Sequence, residues 1–190
     1  MVGLSAANQQ VRKRFRRSDW LDLGLAALGE AGPSGLTIDA LCARAKKTRG
    51  SFYAHFESVE EFLTALAGHW RQLFTRALIE EADTRPRAGA RLDHLNQLAV
   101  RLDARIEQGM RKLAAIEPQV AAVCAEVDQQ RTDYLARLYQ QTEKFSTGDA
   151  LTLARIEYGA FVGLQQTMPN ATPSQLRALY QGFLRLTGRS

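Results

Sequence analysis

The residues best suited to chemistry lie together in the run Thr48-Arg49-Gly50-Ser51-Phe52-Tyr53-Ala54-His55-Phe56. A threonine placed before a helix leaves the free N–H groups of the first turn, and its own hydroxyl, at a natural seat for a phosphate. Arg49 is long enough to reach a guanine O6/N7 edge or a phosphate, and Ser51 can contact a base edge. The Tyr53 hydroxyl and the His55 ring can donate to backbone phosphates, and Lys46 and Lys47 just upstream attract them. Thr37, before the preceding helix, joins the same set of candidate DNA contacts. This is the chemistry of holding double-stranded DNA. Catalysis finds little support: His55, His69 and His94 are scattered, and no His/Cys/carboxylate spacing suits a metal. Neither a Walker loop nor Gly-x-Ser-x-Gly occurs, and no carboxylate pair sits in a defined turn. No enzyme, metal or cofactor is expected.

Such residues need helices to carry them. Phe52 and Phe56 are four apart, so on a helix both turn toward a core with Ile38, Leu41 and Trp20. Gly50 and Ala54 then fall on the opposite face, flanked by Ser51 and Tyr53. Small residues there let a backbone sit deep in a major groove while longer neighbours reach out on either side. Upstream, Ser18 is a candidate cap for a helix that Gly32-Pro33 stops, and Thr37 caps a short second helix. Two short helices separated by a few residues form the skeleton of a helix-turn-helix.

The punctuation stays helical to the end. Ser58 with Glu61 makes a capping box for a long fourth helix reaching about Ala82, and Thr84-Arg85-Pro86 breaks it. Leu92, Leu95, Ala99, Leu102 and Ile106 recur at helical spacing, with a break expected near Glu107–Gly109. Pro118 opens a helix expected to run to about Phe145, roughly 40 Å at 1.5 Å per residue. Thr147 opens another, ending at Met168-Pro169, and Thr172-Pro173-Ser174-Gln175 caps the last, to about Thr187. No strand pattern competes. The expected fold is all-α, about nine helices, the first three forming a small N-terminal domain and the rest a larger helical body.

Charge adds a direction. The chain of 190 residues carries a net +5, and its first 18 residues hold Arg12, Lys13, Arg14, Arg16 and Arg17 before any acid. Such an arm suits a polyanion, although a solvated tail or a transit peptide has the same composition. No apolar run approaches the roughly 18 residues that span a bilayer, and residues 1–10 lack the hydrophobic stretch of a secretory leader. No membrane association is expected. Cys42 and Cys124 lie far apart in helical patterns, where buried, inert thiols in a reducing cytoplasm are expected.

Residues 18–63 resemble the N-terminal DNA-binding domain of the TetR family of bacterial regulators. Thr48–Phe56 follows that family's recognition-helix pattern, Ser/Thr-x-Gly-x-x-Tyr-x-His-Phe, at every fixed position, and Leu36-Thr37-Ile38 and Glu61-Phe62-Leu63 fall where the family has similar residues. Lys46-Lys47 departs from it, standing where the family usually has Gly-Val, so Lys46 must adopt a glycine-like turn or alter it. Val59 replaces a common lysine. The resemblance implies a basic arm (1–17), a DNA-binding domain (18–57) and an effector-binding and dimerisation body (58–190). It implies a homodimer through the last two helices, reading an inverted-repeat operator at half-sites about 34 Å apart. The apolar stripes Ala150, Leu153, Ala154, Phe161, Leu164, Met168 and Leu176, Leu179, Tyr180, Phe183, Leu186 suit that seam, and equally suit an internal core. It implies a small-molecule effector of unspecified identity, with Trp70, Phe74, Met110, Tyr134, Tyr158 and Gln165 as candidate pocket residues, each of which also reads as plain core. Ligand would select a body conformation whose fourth helix swings the DNA-binding domains off the operator, relieving repression. The alternative is an all-helical ligand-binding or adaptor protein without operator recognition, which the Lys46-Lys47 turn keeps open.

Overall fold

A computed structural model describes residues 15–142 and 145–186, and every regular element among them is helical. The headpiece contains α1 (Arg17–Ala31), a 3-10 turn (Gly32–Leu36), α2 (Ile38–Ala45) and α3 (Arg49–Tyr53). The long α4 begins as Val59–Arg71, passes through a π turn at Gln72–Arg76 and ends with Ala77–Asp83. The body continues with α5 (Ala88–Ala99), α6 (Ala104–Ala114), α7 (Pro118–Gln141), α8 (Thr147–Thr167) and α9 (Pro173–Leu186). No helix among the described residues is long and apolar enough to cross a membrane.

Local side-chain chemistry starts most of these helices. Thr37 Oγ1 accepts the Ala40 N–H at 3.3 Å, Thr48 Oγ1 that of Ser51 at 3.2 Å, and Ser58 Oγ that of Glu61 at 3.0 Å. Thr172 and Gln175 cap one another at the head of α9, as a Thr-x-x-Gln box should. Gly32 closes α1 with φ 65°, a region that suits glycine.

Three boundaries differ from expectation. α1 begins at Arg17 rather than after Ser18, because the Asp19 carboxylate reaches back to the Arg16 N–H at 2.7 Å. The break expected near Glu107–Gly109 lies at Val100–Asp103, where Asp103 Oδ1 accepts the Arg105 N–H at 3.0 Å and opens α6. Gly109 is inside α6 for another reason: a Cβ there would come within 2.8 Å of the Leu28 side chain and carbonyl oxygen on α1. α7 ends at Gln141, short of Phe145, as Thr142 takes the C-cap position.

The core begins in the headpiece. Trp20, Phe52, Phe56 and Phe62 are fully buried, with Trp20, Phe56 and Phe62 edge-on to their neighbours at 5.1–5.3 Å between ring centres. Burial of each such side chain contributes about 1.5–3 kcal/mol. The same core continues without interruption through Leu66 and Trp70 of α4, Met110 and Leu113 of α6, and Val120 and Val127 of α7. α6 lies against α1 and the 3-10 turn, so headpiece and lower body share one interior. α7 packs along α8, with Leu135, Tyr139, Ala150 and Ala154 between them. At the π turn Phe74 and Thr75, adjacent in sequence, both turn inward.

Candidate DNA interface and ligand cavity

Phe52 anchors α3 in the core, and that fixes what the helix shows outside. Gly50 and Ala54 are exposed, and Tyr53 keeps 47% of its surface open. Thr48 caps the helix from an exposed position, with Ser51 half-buried beside it. Arg49 reaches the Asp39 carboxylate at 3.4 Å, but both side chains are largely solvated, so the pair is weak and easily exchanged for a stronger anion. Lys46 sits at φ 53°, ψ 44°, the left-handed conformation that a glycine would adopt freely. Its N–H bonds the Ala43 carbonyl at 3.2 Å, and the Lys47 N–H bonds that of Cys42 at 3.0 Å. The turn expected of glycine is therefore built with lysine, at a cost of order 1 kcal/mol, and both lysines are exposed. Thr37 is exposed too, its hydroxyl engaged as the α2 cap.

Two candidate contacts serve the headpiece itself. The Arg17 guanidinium pairs with Glu61 at 2.8 Å, donates to the His55 carbonyl and stacks 4.4 Å from the Phe56 ring centre. The His55 Nε2 lies 3.2 Å from the Phe15 carbonyl. Together they clasp the end of α3 to the start of α1. Arg16 is exposed, whereas Arg12, Lys13 and Arg14 lie outside the described residues. Lys46, Lys47, Thr48, Arg49, Gly50, Ser51 and Tyr53 remain as one outward face.

The body holds a partly open cavity of about 570 Å³, bordered by α4, α5, α7, α8 and α9 and by the start of α6. Of the six pocket candidates, Phe74, Tyr134, Tyr158 and Gln165 line it. Trp70 and Met110 do not: both are fully buried in the core that joins headpiece to body. Most of the lining is apolar, with Leu78, Leu95, Phe161, Leu164 and Phe183 on several walls.

One wall is polar, and sequence reasoning missed it. Arg131 is satisfied on every side: Nε donates to Thr75 Oγ1 at 2.9 Å, Nη1 to Glu107 and the Tyr158 hydroxyl at 3.1 Å, and Nη2 to the Phe74 carbonyl and Glu107 at 3.1 and 3.2 Å. Arg111 bridges Glu107 and Asp128, and the Tyr158 hydroxyl donates to Asp128 at 2.6 Å. Burial alone would lower the Arg131 pKa, but Glu107 and Tyr158 beside it together more than offset that and hold it above its usual value. Burial pushes against ionised Asp128 likewise, yet its bonds from Arg111 and Tyr158 keep its carboxyl below the usual range. Burial raises the Tyr158 phenol. Glu157, 6% exposed, accepts from Tyr139 and from Tyr180, the latter at 3.0 Å, and so joins α7, α8 and α9. The available signal was position: Arg131 is four residues past Val127 on the buried face of α7, and Glu107 is three before Met110 on α6. Elsewhere, burial also raises the Tyr134 phenol, which donates to Asp83 at 2.8 Å, and the free thiols Cys42 and Cys124, the latter to about 11. Among the described residues no cluster of His, Cys, Asp and Glu could hold a metal ion.

Comparisons with known proteins agree with this layout. Residues 21–66 match the family model of bacterial regulatory proteins of the tetR family. A transcriptional regulator from Saccharomonospora viridis, in complex with choline, superposes with a TM-score of 0.76 at 16% identity, over 89% of this chain and 95% of that one. The regulatory protein TetR from Rhodobacter sphaeroides gives a TM-score of 0.72 at 22% identity, over 90% of this chain and 98% of that one. A transcriptional regulator from Pseudomonas aeruginosa PAO1 gives 0.68 at 17%, over 94% and 95%. At these identities the likeness is one of fold. No curated protein matches. Residues 21–66, which contain the helix-turn-helix presenting the Thr48–Phe56 run, thus match the tetR family model, and the all-helical body shares its fold with the solved regulators.

Proposed function

We propose that this chain is a ligand-responsive transcriptional repressor that binds an inverted-repeat operator as a homodimer and leaves it when a small molecule fills the body cavity. The observation that carries the reading is the outward face of α3. Gly50 and Ala54 leave the helix backbone bare at the centre, and Lys46, Lys47, Thr48, Arg49, Ser51 and Tyr53 surround it with donors. A bare centre with donors around it suits entry into a major groove, with side chains reaching phosphates and base edges. The arm over residues 1–17 adds further cations, the headpiece spans 18–57, and the body over 58–190 senses and dimerises.

Dimerisation is supported by apolar surface on the last two helices. Ile156 of α8 is 55% exposed and Leu179 of α9 is 42% exposed, surfaces that a second copy would cover. Effector sensing is supported by the cavity, whose volume falls within the ~300–1,000 Å³ of small-molecule sites. One relative of the same fold is complexed with choline, which fits a small-molecule occupant here. A ligand that prefers one arrangement of α4 and α6 shifts the population of headpiece positions by that preference.

Selection of binding sites from random DNA duplexes, followed by sequencing, tests the reading. An enriched palindrome at moderate salt is the expected result. If no palindrome is enriched, the chain is a helical ligand-binding protein without operator recognition.

A further inference from the structure

The charged groups bordering the cavity are engaged with the protein's own side chains. Arg131 has five N–H donors and makes five bonds, to Thr75, the Phe74 carbonyl, the Tyr158 hydroxyl and both oxygens of Glu107. Glu107 is also paired with Arg111, and Asp103 is held by Arg105 at 2.7 Å. Glu157 accepts from the Tyr139 and Tyr180 hydroxyls. An anion would have to strip Arg131 from Glu107, and a cation would have to take a carboxylate from the groups that already hold it. Either exchange leaves a desolvated charge without its partner. Charged ligands of both signs are disfavoured by construction.

Gln165 differs from these neighbours. Among the described residues that border the cavity, it alone carries a buried side-chain polar atom without a hydrogen-bond partner, the amide oxygen of a residue 4% exposed. Its backbone is held in place from across the body. The hydrogen-bond ladder of α8 ends with the Met168 N–H on the Leu164 carbonyl at 2.8 Å, and Pro169, next in line, has no N–H to give Gln165. Gln108 of α6 supplies one instead, its Nε2 donating to the Gln165 carbonyl at 2.6 Å. A buried acceptor without a donor costs free energy that an arriving hydroxyl or N–H recovers. Around it Leu78, Leu95, Phe161 and Leu164 offer apolar contact only.

We propose that the cavity takes an uncharged, largely apolar molecule oriented by one hydroxyl or amide N–H that donates to the Gln165 side-chain oxygen. The assignment rests on the cavity being the effector site, and it goes further in fixing the effector's charge and the group that orients it.

Four probes of similar length isolate the head group: decan-1-ol, its isomer methyl nonyl ether, decylammonium and decanoate. Each is titrated against the full-length chain by calorimetry, below its solubility and micellar limits. Decanol is expected to bind at least about ten-fold more tightly than either charged probe. It should exceed the ether, which accepts but cannot donate, by about five-fold. Gln165→Leu, checked for an unchanged helical spectrum, should bring alcohol and ether within about two-fold of each other, and Gln165→Met serves if the leucine variant does not fold. Tighter binding of decylammonium or decanoate overturns the neutral assignment while leaving the cavity a ligand site. Equal binding of alcohol and ether by the wild-type chain, or an alcohol preference that survives loss of the amide, overturns the role of Gln165. Binding by none of the four overturns the effector site itself, and the assignment with it.

Discussion

Arg49 and Tyr53 illustrate how a residue can be functional without being structural. Their side chains are exposed, Arg49 meets only the solvated Asp39, and the Tyr53 hydroxyl projects from a helix that Phe52 alone anchors. Arg49→Ala and Tyr53→Phe are therefore expected to weaken operator binding by about 1–3 kcal/mol while leaving the melting temperature near that of wild type. Electrophoretic shift assays beside thermal melts check this, and an equal loss in both would make these residues part of the fold. This face was legible in the sequence because a cap, a wheel and a short motif are local patterns. His55 and Arg17 were harder, since a polar side chain facing DNA and one clasping Phe15, Glu61 and Phe56 look alike until their neighbours are known. Arg131 was invisible for a related reason. A charge on a buried stripe makes sense only with its partners, and those come from α4, α6 and α8.

Elements were read best where their ends are made by their own residues. Thr37, Thr48, Ser58 and Thr172 cap the helices they were expected to cap. Gly109 misled because glycine has two uses, ending a helix and letting another helix approach, and only tertiary structure tells which applies. Its use here is approach. Gly109→Ala should destabilise the chain by about 1–3 kcal/mol, since the new methyl meets the Leu28 backbone as well as its side chain. Gly68, inside α4 with open space around its Cα, is the control: Gly68→Ala should stabilise by about 0.5–1 kcal/mol. Urea denaturation of the two variants measures both signs, and a stabilising Gly109→Ala would contradict the close packing of α1 on α6. The π turn of α4 had no sequence signature, because the extra residue that turns Phe74 and Thr75 inward together breaks the very periodicity used to find helices.

At the scale of the molecule, charge is divided by position. The outward face of α3 and its turn carry cations, whereas the interior of the body balances Arg111 and Arg131 against Glu107 and Asp128. The structure also says where the arm can be cut. Phe15 stacks on Trp20 at 5.0 Å and Arg17 holds Glu61, so removal through residue 17 would damage the headpiece as well as its charge. Deletion of residues 1–14 removes Arg12, Lys13 and Arg14 alone of the basic cluster. It should lower operator affinity and flatten the logarithmic salt dependence by roughly 0.9 for each phosphate that the arm would have neutralised. Fluorescence anisotropy across a salt series reads this slope, and an unchanged slope would make the arm a passive tail.

α6 holds both ends of the proposed response within a single turn of helix. Glu107 borders the cavity and grips Arg131, and Gly109, with a rise of only about 3 Å between them, is where α1 rests its Leu28. No relay of intermediates separates sensor from effector arm. A rotation of that one turn, of the size needed to accommodate a ligand beside Glu107, would carry the seat of the headpiece with it, as a cam moves its follower.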